Sequence, residues 1–198
     1  MRPSAEHTIL ISPIGGADAE ALRGVGEEIR RVFGYATEVA CLFDDVEFAL
    51  NPDRGQYYST PILERLAKLA PVHAVRVVAL TKVDLFIPIL THVYGEAQLG
   101  GRACIVSTCR LTENLPLLNR DEVFVLRVAK EAVHELGHTF DLRHCKDPSC
   151  IMHYCRSVAD VDRKSRALCR YCGVLLQDRL GKVEGRRGER KWPRPTGG

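Results

Sequence analysis

The segment His134-Glu135-Leu136-Gly137-His138-Thr139-Phe140-Asp141-Leu142-Arg143-His144 constrains this chain more than any other, because it needs a helix that carries two histidines and then stops. His134 and His138 stand one turn apart on a helix and present their rings from one face. Six more helical residues would rotate His144 by about 240° from His138 and carry it about 9 Å along the axis. For three histidines to meet, the helix must end after roughly Phe140 and the chain must turn back. The extended form of this motif has Gly where Asp141 stands here. Gly takes a positive φ without penalty, and Asp is among the few other residues enriched in that region.

Such a constellation points to hydrolysis at a metal. Catalytic zinc takes three protein ligands and keeps a fourth position for water, whose proton a neighbouring carboxylate removes. His134, His138 and His144 are the candidate ligands, and Glu135 is the candidate general base. Asp141 is an alternative third ligand, since at i+3 from His138 it shares the ligand face if the helix runs on. His144 is preferred because a cysteine cluster that would anchor its loop follows directly. The five-residue core of the motif also occurs in ordinary amphipathic helices, so the longer pattern carries the weight.

That cluster is Cys145, Cys150, Cys169 and Cys172, spaced C-x4-C-x18-C-x2-C. Two close pairs joined by a connecting segment suit a tetrahedral thiolate site, so structural zinc is expected there, a second ion beside the catalytic one. Cys155 competes for one position, and a redox disulfide is the alternative for Cys169 and Cys172. Cys41, Cys104 and Cys109 lie in apolar or strand-like surroundings and read as buried small hydrophobes. Because Cys145 adjoins His144, the two metal sites should be coupled.

With 198 residues, 45% hydrophobic and 27% charged, the chain can build one good-sized core, and one domain is the default. Residues 1–16 lack the apolar run and cleavage site of a signal peptide, and no apolar run is long enough to span a bilayer. The expectation is a cytoplasmic protein in a reducing compartment, where its eight cysteines serve as ligands or core residues. Net charge is +3, but residues 181–198 hold six Lys/Arg against two Glu, leaving the rest slightly acidic. This Gly-, Pro- and Arg-rich segment reads as a basic flexible tail, a solubilising terminus in preference to a nucleic-acid arm.

Upstream of the motif, strands and helices alternate, which argues for an α/β layer structure. Thr8 to Ile14 reads as a strand, Ala17 to Phe33 as a helix and Thr37 to Phe43 as a second strand. Asn51 to Ser59 reads as a loop, Pro61 to Leu69 as a helix and Val75 to Leu80 as a buried strand. Leu85 to Ile89, Val93 to Leu99 and Arg102 to Thr108 are further extended candidates. Asn119 with Glu122 suggests a capping box for the motif helix, whose core face would run through Val123, Phe124, the stem of Arg127, Leu136 and Phe140.

Taken together, the motif with Cys145, the Cys150-Ile151-Met152 triplet and the closing Cys169-x-x-Cys172 resemble the archaemetzincins, a branch of the metzincin zinc peptidases. Val83 to Pro88, Gly95-Glu96-Ala97 and Ser107-x-x-Arg110-Leu111 extend the similarity over most of residues 7–176. The resemblance implies an α/β (α+β, metzincin-like) fold: a mixed twisted sheet with an active-site helix and a small C-terminal subdomain holding the four-cysteine zinc site. It implies one catalytic domain over residues 1–180, with an upper subdomain to about 140 and a lower one over about 141–180. Met152 corresponds to the methionine of the Met-turn beneath the metal, and Tyr154 to a tyrosine that in some metzincins reaches it. An edge strand, for which Val93 to Leu99 is the candidate, would pair with an extended substrate.

The function expected is that of a zinc-dependent metallopeptidase acting on a peptide or protein substrate, with no membrane and no nucleic acid as partner. The alternative is a catalytically weak or silent zinc-containing binding module, motivated by Asp141 and the tail.

Overall fold

Runs of β-branched residues and amphipathic helices pack here as an α/β layer structure, in a computed structural model that describes residues 7–188. The main sheet has the order β2-β1-β5-β8-β7, from β1 (Thr8–Ile14), β2 (Ala36–Val39), β5 (Ala74–Thr81), β7 (Gly95–Ala97) and β8 (Ala103–Ser107). β1 runs parallel to β2 and β5, and β5 parallel to β8; β7 alone is antiparallel and forms one edge, opposite β2. Every residue of β5 is buried, as expected of a strand covered on both faces.

Helices α1 (Ala19–Phe33) and α3 (Arg120–Thr139) pack on one face of this sheet, and α2 (Ser59–Leu69) covers the other. Asp18 caps α1 by accepting from the Ala21 N–H at 2.9 Å, and Gly34, at φ 77°, ends it. A small second sheet joins β3 (Leu50–Asn51), β4 (Gln56–Tyr58) and β6 (Leu85–Phe86). The segment that reads as a loop in sequence is thus a short hairpin, whose strands of two or three residues are too brief to show alternation.

Three further expectations are corrected. Asn119 sits in the left-handed region at φ 58° and makes no side-chain cap bond, so the capping box with Glu122 does not form. A capping side chain needs an extended backbone to reach the helix amides. Cys41 and Cys109 are exposed, and only Cys104 is buried in the sheet, because β2 ends at Val39 and β8 at Ser107. Beyond α4 (Val158–Arg163), capped by a Ser157 and Asp160 box, α5 (Arg170–Gly188) continues past the expected start of a tail at 181. The Asp178–Lys182 pair at 2.7 Å has the i,i+4 spacing that favours helix. The tail expected over residues 189–198 lies outside the described residues. Among the described residues, no helix is long and apolar enough to cross a membrane.

Candidate metal centre

α3 ends where the geometry requires. Asp141 takes φ 65°, its N–H bonds to His138 O at 2.9 Å, and the next N–H, of Leu142, bonds to Gly137 O at 3.0 Å. This pair of bonds is a Schellman ending, built on Asp instead of Gly. The Asp141 carboxylate turns away from the histidines to pair with Arg179 on α5 at 2.9 Å. The alternative of Asp141 as third ligand is therefore corrected: the reversal removes it from the ligand face and delivers His144.

His134, His138 and His144 converge, with ring centroids 4.7–5.3 Å apart and ligand atoms within 4.8 Å of one another. His134 Nδ1 donates to Ile151 O at 2.9 Å and His138 Nδ1 to Leu142 O at 2.7 Å. Each Nδ1 thus carries the proton, which leaves both Nε2 lone pairs facing one point. Those nitrogens are 3.2 Å apart, and neither has a proton to share with the other. Two nitrogens bound at about 2.0–2.1 Å to one tetrahedral ion lie roughly 3.3–3.4 Å apart, so this arrangement suits a shared cation. Burial, followed by the neighbouring His138 ring, pulls His144 down to about 4, and burial followed by Lys164 holds His134 well below its ordinary value, keeping both rings neutral and able to ligate.

Met152 is fully buried against the helix that carries two of these histidines. Its sulfur occupies the space that a Cβ on Gly137 would fill, which explains the glycine between the two helical histidines. The Tyr154 ring lies tilted against His144, with ring centroids 5.1 Å apart. Glu135 is buried against β7, and burial followed by the nearby Glu131 carboxylate raises its pKa well above the usual value.

The four cysteines after the motif helix also converge. Cys145, Cys150, Cys169 and Cys172 place their sulfurs within 4.8 Å of one another, with Cys145 Sγ and Cys169 Sγ 3.8 Å apart. That separation is far too long for a disulfide, and it matches the roughly 3.8 Å between two thiolates held at about 2.3 Å by one tetrahedral ion. The Cys172 N–H bonds to Cys169 Sγ, and this bond holds the Cys169 thiol below its ordinary pKa despite burial. Cys155 stands outside the cluster and bonds instead to His153 O at 3.6 Å. The clusters are joined through backbone, since the Cys145 N–H donates to Met152 O at 2.9 Å.

The cleft over the histidines is lined by Leu90, Tyr94, Glu131, Glu135 and Tyr154 among others. Sequence reasoning missed the buried pair behind it, Lys164 Nζ with Glu131 at 2.7 Å. It read only the stem of Arg127 and missed its guanidinium, which holds the Asp162 carboxylate in two bonds of 2.8 Å. Lys130 adds bonds to Val161 O and Asp162 O, so Arg127, Lys130 and Glu131 of α3 together clasp the end of α4. The one available signal was the spacing of Glu131 and Glu135, which places both on the cleft face of α3.

Comparison with known proteins agrees with this geometry. Residues 44–178 match the family model described as Peptidase family M54. The chain is 36% identical over 172 residues to an archaemetzincin of Methanocaldococcus jannaschii, covering 86% of this chain and 93% of that protein. It is 42% identical over 134 residues to an archaemetzincin of Methanopyrus kandleri, covering 68% and 73%. The crystal structure of archaemetzincin from Methanopyrus kandleri superimposes with a TM-score of 0.78 at 33% identity, covering 91% of this chain and 99% of that one. A zinc-dependent peptidase from Methanocorpusculum labreanum gives 0.76 at 26% identity, covering 85% and 99%.

Proposed function

The chain belongs to peptidase family M54 and is a zinc metallopeptidase; on that premise we propose that His134, His138 and His144 hold its catalytic zinc, with Glu135 as general base. Cys145, Cys150, Cys169 and Cys172 hold a second, structural zinc in this reading. Its chief support is the pair of Nε2 atoms 3.2 Å apart, oriented by Nδ1 bonds to backbone carbonyls. Zinc held there supplies a Lewis acid that lowers the pKa of a water toward neutrality and polarises the scissile carbonyl.

The chain's own residues do the rest. Glu135 takes a proton from the attacking water and returns it to the leaving amine. Burial disfavours its charged form, which makes the ionised carboxylate a stronger base for the first of these transfers. Tyr94 O accepts from Ser107 N and Gln98 N donates to Ala103 O, so by alternation the amide groups of Gly95 and Ala97 face the free edge of the sheet. An extended peptide pairs there, over the histidines.

The upper subdomain, to about residue 140, supplies the edge strand and α3, and the lower one supplies His144, Met152 and the thiolates. A reducing, cytoplasmic setting fits four free thiols serving as ligands. The reason for a silent binding module weakens, because Asp141 completes the turn that its replacement of Gly put in doubt.

The test combines metal counting with cleavage of a quenched fluorogenic peptide library. Wild-type protein should hold two zinc ions, one of them readily chelated, and Glu135→Ala should keep both while losing turnover. Turnover that persists in Glu135→Ala would move the base elsewhere, and a single chelation-resistant ion would overturn the histidine site.

A further inference from the structure

We propose that Gly95 is a positioning residue for the general base: its missing side chain is the space in which Glu135 is held, so the edge strand sets the carboxylate's place. A Cβ built on Gly95 would lie 2.6 Å from Glu135 Cγ, 2.9 Å from its Cδ and 2.7 Å from Ile105 O. The first contact is to the methylene that carries the reacting carboxyl group, and the second is to the carboxyl carbon. The third is to the backbone of the neighbouring strand. Neither neighbour can give way cheaply. Glu135 retains only 6% of its exposure, so any displacement moves its carboxylate relative to the cleft that it lines.

The register makes the contact specific. Gly95 pairs with Val106 and Ala97 with Cys104, which turns the α-carbons of residues 95 and 97 toward α3. Glu96, between them, points the opposite way and accepts from Thr60 Oγ1 on α2 at 2.9 Å. That bond ties β7 to α2 and fixes its height above the base. The Gly100 N–H adds a bond to His138 O at 2.9 Å, so the chain leaving β7 is fastened to the end of α3. The backbone that receives substrate at its outer edge is therefore the backbone that confines Glu135 on its inner side, and peptide and base share one reference frame. A misplacement on the order of 1 Å in such a frame can reduce turnover by about 10²-fold.

The proposal rests on Glu135 being the base, so its test separates contact from catalysis. Thermal unfolding of zinc-loaded protein is measured for wild type, Gly95→Ala, Glu135→Ala and the double variant. The added methyl should lower Tm more in the wild-type background than in Glu135→Ala, where the obstructing side chain is gone. Folding in the second background alone gives the same answer; equal losses, or failure to fold in both, would place the obstruction at Ile105 O and overturn the proposal. On the best-cleaved library peptide, Gly95→Ala should lower kcat at least tenfold with KM within about twofold and zinc content unchanged. Wild-type kcat in Gly95→Ala would overturn positioning whatever the unfolding shows, whereas turnover in Glu135→Ala would count against the base assignment and leave the contact to the unfolding cycle.

Discussion

Gly137 and Met152 are packed so closely that a Cβ at position 137 would stand 2.5 Å from the Met152 sulfur and 3.0 Å from its Cε. The glycine lies between His134 and His138, so a side chain added there presses on Met152 within the turn of helix that carries both rings.

Gly137→Ala should therefore destabilise the fold by about 1–3 kcal/mol, the range for an added methyl in a packed core, although alanine is the better helix former. Zinc affinity of the histidine site should fall with it. Met152→Leu, which conserves volume, should cost under about 1.5 kcal/mol. Denaturant unfolding and competitive chelator titration check both. An alanine variant as stable as wild type would show that Met152 can move aside.

Replacing Cys169 and Cys172 with Ser should remove one zinc and weaken the other. Cys145 adjoins His144 and bonds through its N–H to Met152 O at 2.9 Å, so the loop that releases a thiolate also carries the third histidine and is tied to Met152. Chelator titration should show lower affinity at the histidine site, of the roughly 10–100-fold size typical when supporting groups are lost. Unchanged affinity there would mean that the two sites are independent.

At Asp141, backbone conformation decides the outcome. With φ at 65°, a Gly replacement relieves strain but gives up the pair with Arg179, so Asp141→Gly should fall within about 1 kcal/mol of wild type. Asp141→Val should cost more, since a β-branched residue is a poor occupant of the left-handed region. Both should keep two zinc ions if they fold. Loss of the chelatable ion in a well-folded Asp141→Gly protein would restore Asp141 as a ligand.

Acid should loosen the cleft wall. Burial by itself would raise the Asp84 carboxyl, but two bonds from Arg110 and one from Gln56 outweigh it and hold it below the ordinary carboxylate range. Gln56 also holds Thr91 O, within the loop that borders the cleft. A depressed folded pKa contributes stability that is present above the unfolded value of about 3.9 and lost as pH falls through the folded one. Asp84→Asn should thus be about 1–2 kcal/mol less stable at neutral pH, the scale of a charge-assisted bond discounted for partial exposure. The gap should narrow below about pH 4, as urea unfolding across pH would show. A constant gap would place the effect outside titration.

Much of the metal centre was legible in sequence because it is local. Three histidines within eleven residues and two cysteine pairs state which donors can meet, and helix geometry alone says that the chain must reverse between His138 and His144. Periodicity likewise located β1, α1 and β5 to within two residues. Short elements escaped it, since the hairpin of β3 and β4 is shorter than any pattern it could display, and the expected Asn119 box failed because capping depends on a backbone angle that composition does not fix.

What the sequence determined by itself was the donor set and the need for a turn after Phe140. Only tertiary structure decided that Asp141 would serve that turn and face Arg179, that Met152 would fill the space beside Gly137, and that Gly95 would open room for Glu135. Each of these is a contact between segments well separated along the chain, where the space one side chain leaves is claimed by another. Local propensity carries no record of that space, because it exists only after the sheet edge, α3 and the returning chain have packed together.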